Sequence, residues 1–346
     1  MRNGFFVMAA LCGVLAGGAR AEDVFQAGRM LEDERDARVS IVGGSIISME
    51  GFVNETHRAL YDVTGNTYKQ NPEGYDLDTD FEITSGGAVV GLGFEKAWKY
   101  FTIEGQVLGM NPQTDSTARR NYYLTVGGVD FNGNTYDHIK ISAGTPFHAE
   151  FIGAMFDLNA LVTPFSIQLG PTARFSPWVG LGVFGLAGSY EIDAGDPTGT
   201  TFYQNPPEEF VIGGQAEGDA IGALPELVIG GEFVFGDAAA THFALQGYFG
   251  FFTYSGSSGY FSNSDQNYDK HADIEHAHAR VRGALDIPLE SGRVITGGVQ
   301  YEYVDTQATL KSTADTPEEI LARQERYDKE GDITMSILTA FVGLAF

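Results

Sequence analysis

The feature that most constrains the fold is a two-residue alternation of apolar and polar side chains over unusually long stretches. It is sharpest in residues 273–289, which read DIEHAHARVRGALDIPL. One set of alternating positions holds Ala277, Ala279, Val281, Leu285 and Ile287, and the other holds His276, His278, Arg280, Arg282 and Asp286. Because successive side chains of a β-strand point to opposite faces, the pattern predicts a long strand with one apolar and one polar face.

Ten stretches of this kind follow one another along the chain. They cover residues 39–53, 81–94, 99–113, 147–160, 175–191, 223–235, 242–256, 272–288, 293–310 and 332–346. Most exceed the usual globular strand of about 5–6 residues, and they reach the ~9–11 residues that a tilted strand needs to cross a bilayer. A soluble β-sandwich also alternates, so strand length is what favours a membrane-spanning sheet.

The connections between these strands alternate in length. Residues 54–80, 114–146, 192–222, 257–271 and 311–331 are long and polar, whereas 95–98, 161–174, 236–241 and 289–292 are shorter. Outer-membrane barrels have long outer connections, short periplasmic turns and an even number of strands. We therefore predict an all-β, transmembrane, antiparallel up-and-down β-barrel over residues 39–346, with about ten strands. Residues 121–142 are interpreted as an extension outside the barrel, and eight or twelve strands are the alternatives.

The first 21 residues, MRNGFFVMAALCGVLAGGARA, differ from the rest in composition. Arg2 precedes an apolar run from Phe5 to Ala16, and the segment ends on small residues, including Ala19 and Ala21. This pattern predicts a secretory signal peptide at residues 1–21, followed by a charged periplasmic lead at residues 22–38. The single cysteine lies inside the signal peptide, so we expect an exported, cysteine-free mature protein without disulfides.

The chain is strongly acidic, with a formal net charge of −25. The signal peptide contains two arginines and no acidic residue, so its removal takes the charge from −25 to −27. Such a surface repels nucleic acid, which is therefore not an expected partner. The acidic outer connections are interpreted first as solvated surface. Weak divalent-cation bridging to lipopolysaccharide and repulsion of anionic solutes are their functional alternatives.

The aromatic residues fit the same orientation. Trp98 and Trp178 lie beside proposed periplasmic turns, and amphipathic rings of this kind collect at the headgroup level of a bilayer. A second interfacial girdle, near the opposite strand ends, is expected from Tyr190, Tyr254, Tyr301 and Tyr303.

The C-terminal residues MSILTAFVGLAF carry a regular apolar row. The row comprises Leu338, Ala340, Val342, Leu344 and the terminal Phe346. It resembles the C-terminal assembly signal of bacterial outer-membrane proteins, and that resemblance implies recognition by the barrel assembly machinery. The Pro-aromatic-x-Gly-x-Gly pattern of SPWVGLG, residues 176–182, is similar to the small opacity-protein-like barrels of outer membranes.

The polar strand faces are expected to line the lumen. This inward set comprises Glu104, Gln106, Glu226, Glu232, His276, His278, Arg280, Arg282, Asp286, Gln300 and Glu302. Side chains largely fill the interior of a barrel of this size, and buried charges need partners. We therefore predict a plugged lumen in which Glu302 and Glu232 hold Arg280 and Arg282. A narrow, cation-leaning ion path through the same groups is the alternative.

His276 and His278 share a strand face, which raises the question of a metal site. The histidines lie two residues apart, but Arg280 and Arg282 on that face would repel a cation. We therefore expect no metal and no cofactor here, and a contact of the histidines with Glu302 instead.

Two further clusters resemble part of the catalytic site of the omptin proteases, a family of ten-stranded barrels. They are Asp76, Asp78 and Asp80 at the start of one strand, and Asp269 and His271 at the start of another. In that family an aspartate pair and an Asp-His couple activate water. The tryptophan-flanked setting of the aspartate pair is missing here, and acidic residues are abundant in the long connections. Chance placement is favoured, no serine stands out as a nucleophile, and no enzymatic activity is expected.

The combined sequence features favour a surface or structural protein of the outer membrane of a Gram-negative bacterium. We expect a monomer in contact with outer-membrane lipid and lipopolysaccharide, whose long connections carry any specificity for an extracellular ligand.

Overall fold

The computed structural model describes residues 35–49, 81–98, 100–119, 122–124, 128–129, 135–136, 138–193, 195, 198–201, 208–211, 215–236, 240–257, 270–312 and 329–345. The expected signal peptide, residues 22–34 of the expected lead and Phe346 lie outside these ranges. Within them, no helix is long and apolar enough to cross a membrane.

The described residues form β-strands joined by turns. In chain order the strands are β1 (Arg35–Met49), β2 (Phe81–Ala97), β3 (Phe101–Met110), β4 (Gln113–Ala118), β5 (Tyr122–Leu124), β6 (Gly128–Val129), β7 (Thr135–Tyr136), β8 (His138–Ile141), β9 (Pro146–Val162), β10 (Ile167–Gln168), β11 (Ala173–Asp193), β12 (Thr198–Thr201), β13 (Glu208–Val211), β14 (Gln215–Phe235), β15 (His242–Ser257), β16 (Lys270–Pro288), β17 (Val294–Ser312) and β18 (Lys329–Ala345). β1 begins at Arg35, so residues 35–38 belong to the first strand and not to the lead.

Ten long strands close into one antiparallel barrel. Their order around the ring is β1-β2-β3-β9-β11-β14-β15-β16-β17-β18, and β18 returns to pair with β1. Closure leaves no unpaired sheet edge, which is the condition for a sheet to lie in lipid. The predicted ten-stranded, all-β barrel is confirmed.

One barrel strand is interrupted. β4 continues β3 after Asn111 and Pro112 and occupies the same place between β2 and β9. Proline has no N–H to donate to the ladder, so regular pairing stops there. The carbonyl of Pro112 still accepts a hydrogen bond from the Phe151 amide at 2.9 Å.

Within the described ranges, six short strands lie outside the barrel, whereas the short β4 and β10 belong to the barrel sheet. β5 and β8 join β12 and β13 in a separate four-stranded sheet, and β6 pairs only with β7 among the described residues. The described residues between 122 and 142 therefore contribute to an extension at the end with the long connections. The alternative of twelve barrel strands is wrong, because the described residues of this segment pair with one another and with the connection between β11 and β14, and none of them pairs with a barrel strand.

The outer face of the barrel is an apolar belt. Alternating positions on each strand expose large apolar side chains, including Ile41, Leu92, Val107, Leu158, Leu181, Leu227, Val281, Val299, Leu338 and Val342. Val281 is 50% and Val342 64% exposed. Exposing so large an apolar surface to water is unfavourable. The surface matches the lipid-facing band of a transmembrane barrel.

The expected aromatic girdles are partly on this outer face. Trp98 is exposed beside the turn between β2 and β3 and packs near Phe101, with ring centroids 5.8 Å apart. Tyr301 and Tyr303 occupy the outward row of β17, in the same alternating set as Val299.

Three of the predicted interfacial aromatics lie on inward rows instead. Val179 and Leu181 are the outward residues of β11, so the alternation turns Trp178 into the lumen, where it packs against the buried cluster of Leu161, Val228 and Tyr248. Tyr190 falls on the same row and packs against the apolar side chains inside the barrel. Tyr254 continues the inward row of β15 near the strand end, but it is 40% exposed there, so its place at the interface stays a prediction. For Trp178 and Tyr190, strand parity and not nearness to a turn decides which face the side chain joins.

Inside the barrel, a polar region and an apolar region follow each other along the axis. The apolar side chains form what we call the inner apolar cluster, with Ile46, Met49, Val89, Leu108, Met110, Phe151, Met155, Phe184, Val304, Met335 and Ile337 among its members. Most of these positions lie toward the strand ends that carry the long connections. The polar groups lie closer to the short turns.

Candidate functional site

The inward polar side chains form the feature of the fold that bears on function. This lumen network comprises Arg38, Glu95, Glu104, Gln106, Asp157, Asn159, Glu226, Glu232, His242, Gln246, Tyr248, His276, His278, Arg280, Arg282, Asp286, Thr296, Gln300 and Glu302. It contains every inward residue named from the sequence. The structure adds a further cation and two carboxylates that the sequence reasoning did not name.

Arg280 lies at the centre of the lumen network. Its guanidinium contacts Glu104, bonds Asp157 Oδ2 from Nη1 at 2.7 Å, and lies 3.9 Å from Glu302 Oε1. The face of Tyr248 covers it, with the guanidinium carbon 4.3 Å from the ring centroid. Charge-assisted hydrogen bonds and a cation–π contact thus hold one buried arginine in place.

These contacts cross the barrel. Arg280 on β16 and Glu104 on β3 belong to strands five places apart in a ring of ten, which is the largest separation the ring allows. Asp157 on β9 is four places from β16. A side-chain bridge between opposite walls occupies the lumen along its diameter.

Amide side chains join the same bridge. Gln300 Nε2 donates to Gln106 Oε1 at 2.9 Å and to Glu302 Oε1 at 2.7 Å, and Gln106 Nε2 donates to Glu302 as well. Asn159 Nδ2 donates to Asp157 Oδ1 at 2.9 Å. These donors satisfy carboxylate oxygens that one arginine could not satisfy alone.

A second set of contacts lies nearer the short turns. Arg38 Nη2 bonds Asp286 Oδ2 at 2.8 Å, and Thr296 donates to Asp286 Oδ1 at 2.6 Å. Arg282 Nη1 lies 3.6 Å from Glu95 Oε2, and Arg38 Nη1 lies 3.7 Å from the same atom. We expected Arg282 to pair with Glu232, but the structure pairs it with Glu95 on β2.

The two histidines converge on one carboxylate. His276 Nε2 lies 2.8 Å and His278 Nδ1 3.3 Å from Glu226 Oε1. His276 Nδ1 also bonds Thr306 Oγ1 at 2.8 Å, and His278 Nδ1 lies 2.7 Å from the Tyr248 hydroxyl. We expected the histidines to contact Glu302 on the neighbouring strand, but in the structure both contact Glu226 on β14.

The lumen network carries more carboxylates than permanent cations. It holds seven carboxylates, three guanidinium groups and three imidazoles. The carboxylates are Glu95, Glu104, Asp157, Glu226, Glu232, Asp286 and Glu302. This composition excludes an anion-selective site, since a buried anion would meet a negative wall.

Two observations describe how tightly the lumen is filled. The cavity beside Arg280 and Glu95 has a volume of about 20 Å³, which is room for about one water molecule. Beyond it, the inner apolar cluster packs across the barrel toward the long connections.

The residues missed by the sequence reasoning have identifiable signals. Asp157 falls on the inward row of β9, between Met155 and Asn159, and alternation alone would have included it. Arg38 was assigned to the lead and Glu95 to a turn, because both lie at the ends of their strands.

The protease-like clusters are not placed by the structure. Asp76, Asp78, Asp80 and Asp269 lie outside the described residues, and His271 lies in β16 without a described side chain. Of the C-terminal row, Leu338, Val342 and Leu344 are exposed on the outer face of β18.

The comparisons with known proteins concern architecture. No family model and no curated protein sequence matches the chain. The outer membrane protease OmpT from Escherichia coli is similar over 90% of this chain and 96% of its own, at 10% identity and a TM-score of 0.40. The beta domain of the Bordetella autotransporter BrkA is similar over 91% of this chain and 99% of its own, at 9% identity and a TM-score of 0.27. Identities this low carry no information on a shared activity.

Proposed function

We propose that this chain is a closed, non-enzymatic outer-membrane β-barrel with a structural or surface-interaction role. One observation carries the proposal: Arg280 bridges the lumen to Glu104 and Asp157 on distant strands. A pore needs an unobstructed path, whereas here the diameter is occupied by paired side chains.

The apolar belt supports the membrane location. Its exposed side chains would be costly in water at roughly 25 cal/mol per Å², and lipid removes that cost. The exposed row of β18 supports recognition by the barrel assembly machinery. Outer-membrane lipid and lipopolysaccharide follow as partners, and the long connections are left to bind any extracellular ligand.

A small cation-leaning porin is the second candidate. The excess of carboxylates over guanidinium groups in the lumen network favours it, because a negative path attracts cations and repels anions. The two candidates differ in whether the folded wild-type barrel conducts.

Flux from phospholipid vesicles separates them. We expect vesicles with the refolded wild-type barrel to retain small cations. The double variant Arg280→Ser, Arg282→Ser should release cations faster than anions, because the lumen loses its bridge and keeps its carboxylates. The matched control is Arg293→Ser in the exposed turn between β16 and β17, which should retain cations. Rapid release by the wild type would refute the closed barrel and favour the porin.

A further inference from the structure

Three side chains with metal-binding donors meet inside the lumen. Asp157 on β9, Glu226 on β14 and His278 on β16 each offer one donor atom, and these atoms all lie within 4.8 Å of one another. None of the three is more than 2% exposed. Carboxylate oxygen and imidazole nitrogen are common ligands of Zn²⁺.

Two buried oxygen atoms beside this group lack a hydrogen-bond donor. Among the described residues, neither Glu226 Oε2 nor Asn159 Oδ1 has a hydrogen-bond partner. The amide orientation is fixed, because Asn159 Nδ2 donates to Asp157 Oδ1 at 2.9 Å and to Glu104 Oε1 at 3.4 Å. A buried acceptor without a donor is costly, and a cation removes that cost.

Both oxygens face the same glycine. A Cβ added at Gly182 would lie 3.1 Å from Glu226 Oε2 and would collide with Asn159 Oδ1. A Cβ at Gly250 would lie 2.7 Å from Glu226 Oε2. The two glycines therefore leave the room in the barrel wall that the carboxylate of Glu226 occupies.

The local charge favours a cation. Glu104, Asp157 and Glu302 share the guanidinium of Arg280, and Glu226 places a fourth carboxylate beside Asp157. Carboxylates therefore outnumber guanidinium groups at this place in the lumen. The repulsion expected from Arg280 is offset, because its charge is already paired with Glu104. A buried charge without a partner is costly, and a divalent ion would supply positive charge to these carboxylates.

We propose that Asp157, Glu226 and His278 bind a divalent ion of the zinc class. Donor atoms around tetrahedral zinc, at about 2.0–2.1 Å from the metal, lie about 3.3–3.4 Å apart, so side-chain shifts on the order of 1 Å bring these three donors to that spacing, and a water molecule takes the fourth position. His276, which contacts Glu226 Oε1 at 2.8 Å, holds that carboxylate in orientation. Because the surrounding lumen is filled, the ion enters while the barrel folds. Zinc binding here is independent of whether the lumen conducts.

The test is refolding of the full mature chain in detergent with Zn²⁺, followed by gel filtration and measurement of zinc per protein. We expect one tightly held zinc per chain. Glu226→Gln and His278→Gln should lose it, and His276→Ala should weaken binding about 10- to 100-fold. Refolding with Co²⁺ should give the visible absorption of tetrahedral cobalt in the wild type.

Two controls separate this site from weak binding by the acidic connections. Glu232→Gln removes an inward carboxylate of the same strand, and His242→Gln removes an inward histidine, and both should retain zinc. If Glu226→Gln does not fold, the cobalt spectrum of the wild type tests the site instead: tetrahedral absorption supports the proposal, and its absence overturns it. Absence of bound metal in the wild type would overturn the proposal, as would equal zinc in Glu226→Gln and the wild type.

Discussion

Substituting Arg280 by methionine tests the cross-barrel bridge energetically. Methionine fills a similar volume but removes the guanidinium that Glu104 and Asp157 share. Both carboxylates are then buried without their cation. Breaking a buried ion pair by removing one partner costs about 3–5 kcal/mol, so we expect the free energy of unfolding to fall by about that amount.

The matched experiment removes the carboxylate as well. Glu104→Gln alone should destabilise, because Arg280 loses a partner. In the Arg280→Met background the same change should stabilise, because it removes one of the orphaned charges. The two effects of opposite sign define a coupling energy of about 0.5–3 kcal/mol.

Denaturant unfolding of the refolded barrel in detergent gives these values. Trp178 packs inside the barrel against a buried cluster that includes Tyr248, so tryptophan fluorescence reports unfolding. Arg293→Met, in the exposed turn between β16 and β17, is the control and should stay within about 0.5 kcal/mol of the wild type. A similarly small effect of Arg280→Met, or simple additivity with Glu104→Gln, would refute the bridge.

Three further predictions follow from the faces and ends of the barrel. Val281→Arg places a charge against lipid and should lower the free energy of unfolding by about 2–4 kcal/mol. Glu275→Arg, on the same outward row but beyond the belt, should lower it by about 0–1 kcal/mol in the same assay. Equal losses would show that the belt does not lie where we place it. Deletion of Phe346 should leave exported chain in the periplasm, measured by fractionation, and normal levels of folded barrel would contradict the assembly signal. The wild type should not cleave basic peptides, and cleavage that His271→Ala abolishes would show a protease.

The strands could be predicted from the sequence because the alternation is long. Residues 293–310 were expected as a strand that the structure places at Val294–Ser312, and 175–191 correspond to Ala173–Asp193. β14 begins at Gln215, eight residues earlier than expected, because QAEGDAIGALP does not alternate clearly. The barrel architecture could be predicted from these strands alone, because ten long strands with alternating connection lengths leave few other arrangements.

The contacts across the lumen could not be predicted in the same way. Parity tells which side chains point inward, but the stagger between strands decides which of them meet. Arg280 thus reaches Glu104 and Asp157 on the opposite wall, and Arg282 reaches Glu95 instead of Glu232. These distances depend on barrel tilt and width, which a single strand does not encode.

Single-channel recording of the refolded wild-type barrel in a planar bilayer tests the closed lumen most directly. Insertion should be verified by heat-modifiable migration of the same preparation on a gel. We predict no steady conductance at moderate voltage, because the bridge through Arg280 and the inner apolar cluster both block the path. A stable, ohmic conductance from the folded wild type would contradict the closed barrel.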